Sequence, residues 1–224
     1  MNVNLNDLMR SQSTDQRILS KLRKLMPDDV SNIKDMNQAC EKQANRLRQL
    51  LDVRGNKFPN EAIQKLPMIE VILDDDLPYS ASARWLEHRW LITINGKEPY
   101  LRQRFSLAHE IKHIIDHKHK YDLYLDLKGI VHNEKAEQQA DYFAACLLMP
   151  KDKVTRLFNN GITSPTILAT FFEVSPLAMH IRLRQLKLTT TWQNCKLRIQ
   201  YKLSLIRILM RLWHVLHYPE EIKL

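Results

Sequence analysis

The stretch "RFSLAHEIKHIIDHKHK" (Arg104–Lys120) places four histidines and two carboxylates in seventeen residues, and its reading decides the fold. It is either a basic, solvated helix rich in histidine or a metal site on one helix. On a helix, Leu107, Ile111, Ile114 and Ile115 form an apolar stripe, while His109, His113, Asp116 and His117 fall on a different face. Side chains at i and i+4 lie one above the other, so His109 and His113 can both direct an imidazole at one ion. Glu110 then stands beside the metal face without being a ligand. This is the HExxH arrangement, in which two histidines hold zinc and the glutamate serves as general base. The five-residue motif is short enough to arise by chance, so the reading turns on a third ligand.

Two candidates compete. His119 lies ten residues after His109, matching the spacing of HExxHxxGxxH, but that pattern turns sharply at a glycine where this chain has Asp116. Without the turn, His119 sits about 15 Å along the helix from His109 and cannot reach the same ion. The other candidate is Glu137 in "EKAEQQADYFAACLLMP" (134–150), where Ala136, Ala140, Phe143, Ala144, Leu147 and Leu148 mark a second amphipathic helix. Glu137 and Asp141 stack at i, i+4 on its polar face. Glu137 can complete a His-His-Glu set while Asp141 accepts the free N–H of a ligand histidine. The spacing favours Glu137.

Outward from these helices, Ile33, Met36, Cys40, Ala44, Leu47 and Leu51 step by three and four, predicting a helix that stops before Gly55 and Pro59. Ile18, Leu22, Leu25 and Met26 suggest a shorter helix ended by Pro27. "MIEVIL" (68–73) and "WLITI" (90–94) are rich in β-branched and aromatic residues and bounded by turn-formers, so they read as strands. A chain of 224 residues with 44% hydrophobic content is long enough for a substantial core. Cys40, Cys146 and Cys195 form no CxxC pair and fit reduced thiols, which makes cysteine a poor candidate for metal ligation here. The absence of a long apolar run and of a signal-peptide build points to the cytoplasm, with no transmembrane segment. Of the net charge of +9, residues 181–224 carry +7, from nine Lys/Arg against two acids. The basic character is a C-terminal property, and a solvated face explains it more simply than a phosphate-binding surface.

The two motifs together carry a resemblance. "RFSLAHEIKHIIDH" (104–117) followed by "EQQADYFAACLLMP" (137–150) is similar to the signature of the ImmA/IrrE family of zinc metallopeptidases, RF(T/S)LAHE-x-x-H-x3-H and then E-x-x-A-(N/D)-x-FA-x3-LMP. The likeness extends upstream through residues 69–105 and downstream through "ILATFFEVSPLAMHIRLRQL" (167–186), covering about residues 40–188. The resemblance implies His109, His113 and Glu137 as zinc ligands, Glu110 as general base, and Asp141 and His117 as supporting residues. It also implies limited proteolysis of a regulator, often a helix-turn-helix repressor or an antitoxin-type partner encoded on a mobile element. One departure stands out: Lys112 occupies the position before the second histidine where the family usually has glycine. A long cation there is expected at the rim of the cleft or in solvent.

Other features have plainer readings. "DDD" (74–76) before a proline is a solvated turn, and Cys146 is core. "ILATFFEVSPLAMHIRLRQL" has the rhythm of a helix-turn-helix, with Ser175 as N-cap, Pro176 at the first helical position, and Arg182 and Arg184 on its second helix. DNA contact through it is the minority reading and packing the favoured one, because Glu173 sits where the turn wants glycine and phosphate wants no acid. The strand at 90–94 is expected to pair with an extended substrate by edge addition, and His132 and Tyr142 are candidates to stabilise the oxyanion. Residues 196–205 alternate like a strand, and Leu205 to Leu216 give a helical stripe. The resulting expectation is an α+β, mostly helical zincin-like peptidase domain (40–188) with a small antiparallel sheet beside the HExxH helix. It would be flanked by a helical N-terminal extension (1–39) and a basic amphipathic appendage (189–224). The functional expectation is an intracellular zinc endopeptidase acting on a regulatory protein. The competing class is a non-catalytic DNA- or protein-binding regulator with a structural or vestigial metal site. The oligomeric state is not legible in the sequence.

Overall fold

The computed structural model describes residues 18–26, 32–66, 68–86, 88–117 and 133–188. The chain divides into two compact units, Met1–Leu186 and Lys187–Leu224. The expected strand at 196–205, the helix after it, His119 and His132 lie outside the described residues.

The first unit is α+β and mostly helical. Residues 18–23 are helical. Helix α1 (Ile33–Leu50) begins at Asn32, whose side chain accepts the Lys34 N–H, and buries Met36, Ala39, Cys40, Ala44 and Leu47 along one face. It runs unbroken through residues 39 and 40. A 3-10 turn (Asn60–Lys65) leads into the sheet of β1 (Ile69–Asp74), β2 (Ala81–Leu86) and β3 (Arg89–Asn95). Helix α2 (Tyr100–Asp116) carries the histidine-rich stretch, and α3 (Asn133–Leu148) carries the second motif. Three shorter helices follow: α4 (Lys151–Asn159), α5 (Pro165–Phe172) and α6 (Pro176–Gln185). Helix α2 packs on β2 and β3 on one side and on α3 on the other, and α3 is backed by α1. The candidate site residues thus sit on the two helices between the sheet and α1.

The sheet differs from expectation in two ways. Its order is β1-β3-β2, with β1 parallel to β3 and β2 antiparallel to it, so it is mixed rather than antiparallel. The cause is β2, "ASARWL", whose small and charged residues give no alternating β-branched signal; it hairpins onto one side of β3, so that β1 meets the other side running the same way. The residues of "WLITI" therefore lie in the central strand, paired on both sides, and cannot accept a substrate by edge addition. β1 and β2 are the two edge strands, and β2 is the one that borders the histidine-lined cleft.

The helix-turn-helix-like segment packs one face against the domain, burying Met179, Arg182 and Leu183, while Arg184 is exposed. Ser175 caps α6 by accepting the Ala178 N–H at 3.1 Å, and Pro176 follows it as expected for a helix start. Arg182, however, is fully buried, donating to the Met149 carbonyl and pairing with Glu41 at 2.6 Å. Glu173 adopts the left-handed conformation at the turn, φ 49°, where its carboxylate meets Lys57 at 2.7 Å.

Candidate metal centre

Helices α2 and α3 bring together two histidines one turn apart and a glutamate 28 residues beyond the first of them. His109 Nε2 and His113 Nε2 lie 3.0 Å apart, His109 Nε2 lies 3.0 Å from Glu137 Oε2, and His113 Nε2 lies 3.3 Å from Glu137 Oε1. Among the described residues these three form the cluster able to hold a metal ion, with ligand atoms all within 4.8 Å of one another. The fit to zinc can be checked by distance. Tetrahedral bonds of about 2.0–2.1 Å put neighbouring ligand atoms about 3.3 Å apart, close to the separations found. The donor chemistry agrees. His109 Nδ1 faces Asp141 Oδ1 at 2.9 Å, so in the neutral ring that nitrogen carries the proton and Nε2 presents a lone pair. This lone pair meets a second imidazole and a carboxylate, a donor set that a bound cation or a shared proton satisfies.

The charges show the same demand. Burial by itself would lower the His109 pKa, but the hydrogen bond and charge of Asp141, with Glu110 and Glu137, override it and raise the imidazole above its ordinary value. Glu110, one residue along α2, is raised chiefly by burial and by the nearby Glu137, opposed by His109 and by a hydrogen bond from the Ala83 backbone N–H. A carboxylate held above its ordinary range at the mouth of such a cluster suits a group that takes and returns a proton.

These groups line a cleft of about 410 Å³, walled by Ala81, Ser82 and Ala83 of β2, Trp90 of β3, Glu110, Asp116 and His117 beside the two histidines, and Ala136 with Glu137 from α3. His117 lies in the wall, its ring edge-on to Trp90 at 4.7 Å. Tyr142 is elsewhere: it lies on the Arg182 side of α3, 5.6 Å beneath that guanidinium, and burial pushes its hydroxyl up to about 12. It is therefore no oxyanion donor for this cleft.

Lys112 overturns the expectation of a rim or solvated cation. It is 1% exposed, donating to Asp116 Oδ1 at 2.8 Å and Gln43 Oε1 at 3.0 Å. The helical wheel explains the burial: residues 112 and 116 lie on the flank of α2 opposite Glu110, toward α1, with the two histidines between the flanks. The i, i+4 pairing with Asp116 was legible in the sequence. The contact with Gln43, 69 residues away, was not. Sequence reasoning also missed Ala83, because β2 itself gave no signal, and Arg104, which is buried near the start of α2 among three acceptors from two other segments.

With the geometry in place, comparison with known proteins adds a family. The IrrE N-terminal-like domain of the M78 peptidases matches residues 67–184, more than half of the chain. The chain belongs to this family. That span holds the sheet, the HExxH helix, Glu137 and Asp141, so the IrrE-like domain is built around the whole candidate centre. A Mycobacterium tuberculosis transcriptional regulator of known structure is similar at 17% identity and a TM-score of 0.49, over 80% of this chain and 53% of that one. This chain thus spans about half the length of that protein. No curated protein matches. No helix among the described residues is long and apolar enough to cross a membrane.

Proposed function

We propose that this IrrE-like chain is a cytoplasmic zinc endopeptidase that cuts a regulatory protein, in the manner the family resemblance implies for a helix-turn-helix repressor or antitoxin-type partner. The observation that carries the reading is the convergence of His109, His113 and Glu137 from two helices beside Glu110 in an open cleft. His109, His113 and Glu137 would hold the zinc. Zinc bound there would supply Lewis acidity to a peptide carbonyl and lower the pKa of water toward about 7. Asp141 fixes the His109 ring so that Nε2 keeps its lone pair. Glu110 takes the proton of the attacking water and returns it to the leaving amine, a role its raised pKa suits. The Ala83 N–H orients the Glu110 carboxylate from the edge strand, and an extended peptide lying along β2 meets both.

The test has two arms. Purified protein should hold about one zinc per chain, and co-expression with a helix-turn-helix repressor encoded beside its gene should yield cleavage fragments. Glu110→Gln should keep the zinc and abolish the fragments; fragments at an undiminished rate would remove Glu110 from the mechanism. Glu137→Ala should empty the site while His119→Ala leaves it filled, and the opposite pattern would return the third ligand to His119. A buried Arg182 speaks against the competing DNA-binding reading.

A further inference from the structure

Three aromatic rings run outward from the cleft: His117 and Trp90 line it, and Trp85 adjoins Trp90 on the edge strand. Trp90 lines the cleft and is 6% exposed. Its ring is edge-on to Trp85 on one side, centroids 5.4 Å apart, and to His117 on the other, 4.7 Å apart. Trp85 is 49% exposed, an unusual state for the largest apolar side chain on an edge strand beside a cleft. The register says which way it faces. Asn95 donates to the Ser80 carbonyl, so the hydrogen-bonded partners of β3 are Ser80, Ser82, Arg84 and Leu86, and the backbone groups of Ala81, Ala83 and Trp85 turn outward. The side chains of these same three residues share the sheet face of Trp90, the face on which α2 packs.

The edge is therefore graded. Near Glu110 it offers Ala81 and Ala83, which leave room for the reacting bond, and about 6.8 Å farther along it offers a tryptophan backed by a second one. A peptide extended along this edge presents alternate side chains to the α2 side, and the one two residues from the position opposite Ala83 meets the aromatic wall. Indole and imidazole edges stacked in this way accept an aromatic ring or a long aliphatic chain and offer little to a carboxylate.

We propose that Trp85, Trp90 and His117 form a substrate subsite that selects a large apolar or aromatic side chain two residues from the cut bond. The proposal rests on the peptidase reading for its naming of the cut bond, but the pocket itself can be tested without turnover. The probes are capped pentapeptides, acetyl-Ala-Ala-X-Ala-Ala-amide, with X as Phe, Ala, Arg or Asp. They are titrated into the zinc-loaded full chain while the indole N–H signals of the four tryptophans are followed by NMR, with Trp85 and Trp90 assigned by substitution. The Phe peptide should shift the Trp85 and Trp90 signals saturably and bind about tenfold tighter than the Ala peptide. Trp85→Ala should erase that preference, and Leu86→Ala, equally exposed on the same strand, should leave it intact. Equal binding of Phe and Ala, tighter binding of Arg, undisturbed indole signals, or a preference that survives Trp85→Ala would each overturn the subsite. A Phe preference in a protein that cleaves no partner would keep the subsite and sink the peptidase reading. Repressor cleavage with no such preference would do the reverse.

Discussion

His109 is held through both ring nitrogens, and the partner behind it decides what the front one can do. With Asp141 on Nδ1 at 2.9 Å, the Nε2 lone pair is fixed toward His113 and Glu137. Asp141→Asn keeps the shape but can present an amide N–H to Nδ1, which favours the wrong tautomer. We expect zinc affinity to fall about 10- to 100-fold, measured by competition with a chromophoric chelator, with the fold intact because the Asp141 side chain is 62% exposed. An affinity unchanged by the substitution would remove Asp141 from the centre. Lys112 poses the opposite case, a charge stabilised inside the protein away from the cleft. Its ammonium is satisfied by Asp116 and Gln43, and Arg23 adds a second positive charge near Asp116. Lys112→Met should therefore destabilise the fold by about 3 kcal/mol in urea unfolding, because it takes the nearest cation from a buried carboxylate. Replacing both partners, as Lys112→Met with Asp116→Leu, should recover most of that loss. A single variant as stable as the parent would show that the remaining interactions of Asp116, Arg23 among them, balance its charge.

Helix α2 is pinned at both ends by arginines, which is how a helix that carries two ligands and a base keeps its register. At its C-terminal end Arg23 donates to the carbonyls of Ile114 and Ile115, at 3.1 and 2.6 Å, satisfying acceptors the helix leaves open and placing positive charge at the negative end of its dipole. In its second turn Arg104 donates to the Phe58 carbonyl, Asn60 Oδ1 and the Glu173 carbonyl. Arg104→Ala would strand three acceptors at once and should cost about 3 kcal/mol or more in urea unfolding, and Arg104→Lys should fail to restore it because one ammonium cannot span the fork. A cost below about 1 kcal/mol would mean that water takes over the site. These two clamps also mark the limit of what the sequence makes legible. Helices α1, α2 and α3 are visible because each carries its own period, and strands β1 and β3 because their β-branched and aromatic runs lie between turn-formers. The two-helix cluster is visible because His109/His113 and Glu137/Asp141 are i, i+4 pairs. What stays hidden is set by partners far along the chain: the parallel pairing of β1 with β3, the edge strand β2 with its Ala-Ser-Ala start, and acceptors that Arg104 reaches 44, 46 and 69 residues away.

At the scale of the whole molecule, metal, proton and stability are coupled through the same nitrogen. In the metal-free protein His109 has a raised pKa, so its protonated form contributes stability that is fully present below about pH 6.5 and is lost as pH rises through the raised value. Zinc needs that nitrogen unprotonated, so its affinity, and the stability it adds, should grow over the same window. The metal-free and zinc-loaded proteins must then diverge as pH rises, one losing stability while the other gains it. Free zinc at 1,000 times its dissociation constant adds about 4.1 kcal/mol, which for a chain of this size is a rise in melting temperature of about 8–16 °C. Calorimetry with zinc and with EDTA should show that gap at pH 8 and a clearly smaller one at pH 6. Glu137→Ala should close it at both pH values, whereas His119→Ala should leave it as it is. A gap of equal size at both pH values would place the bound zinc somewhere other than on His109. A gap that survives Glu137→Ala would break the two-helix centre as the metal site, whatever the protein proves to cleave.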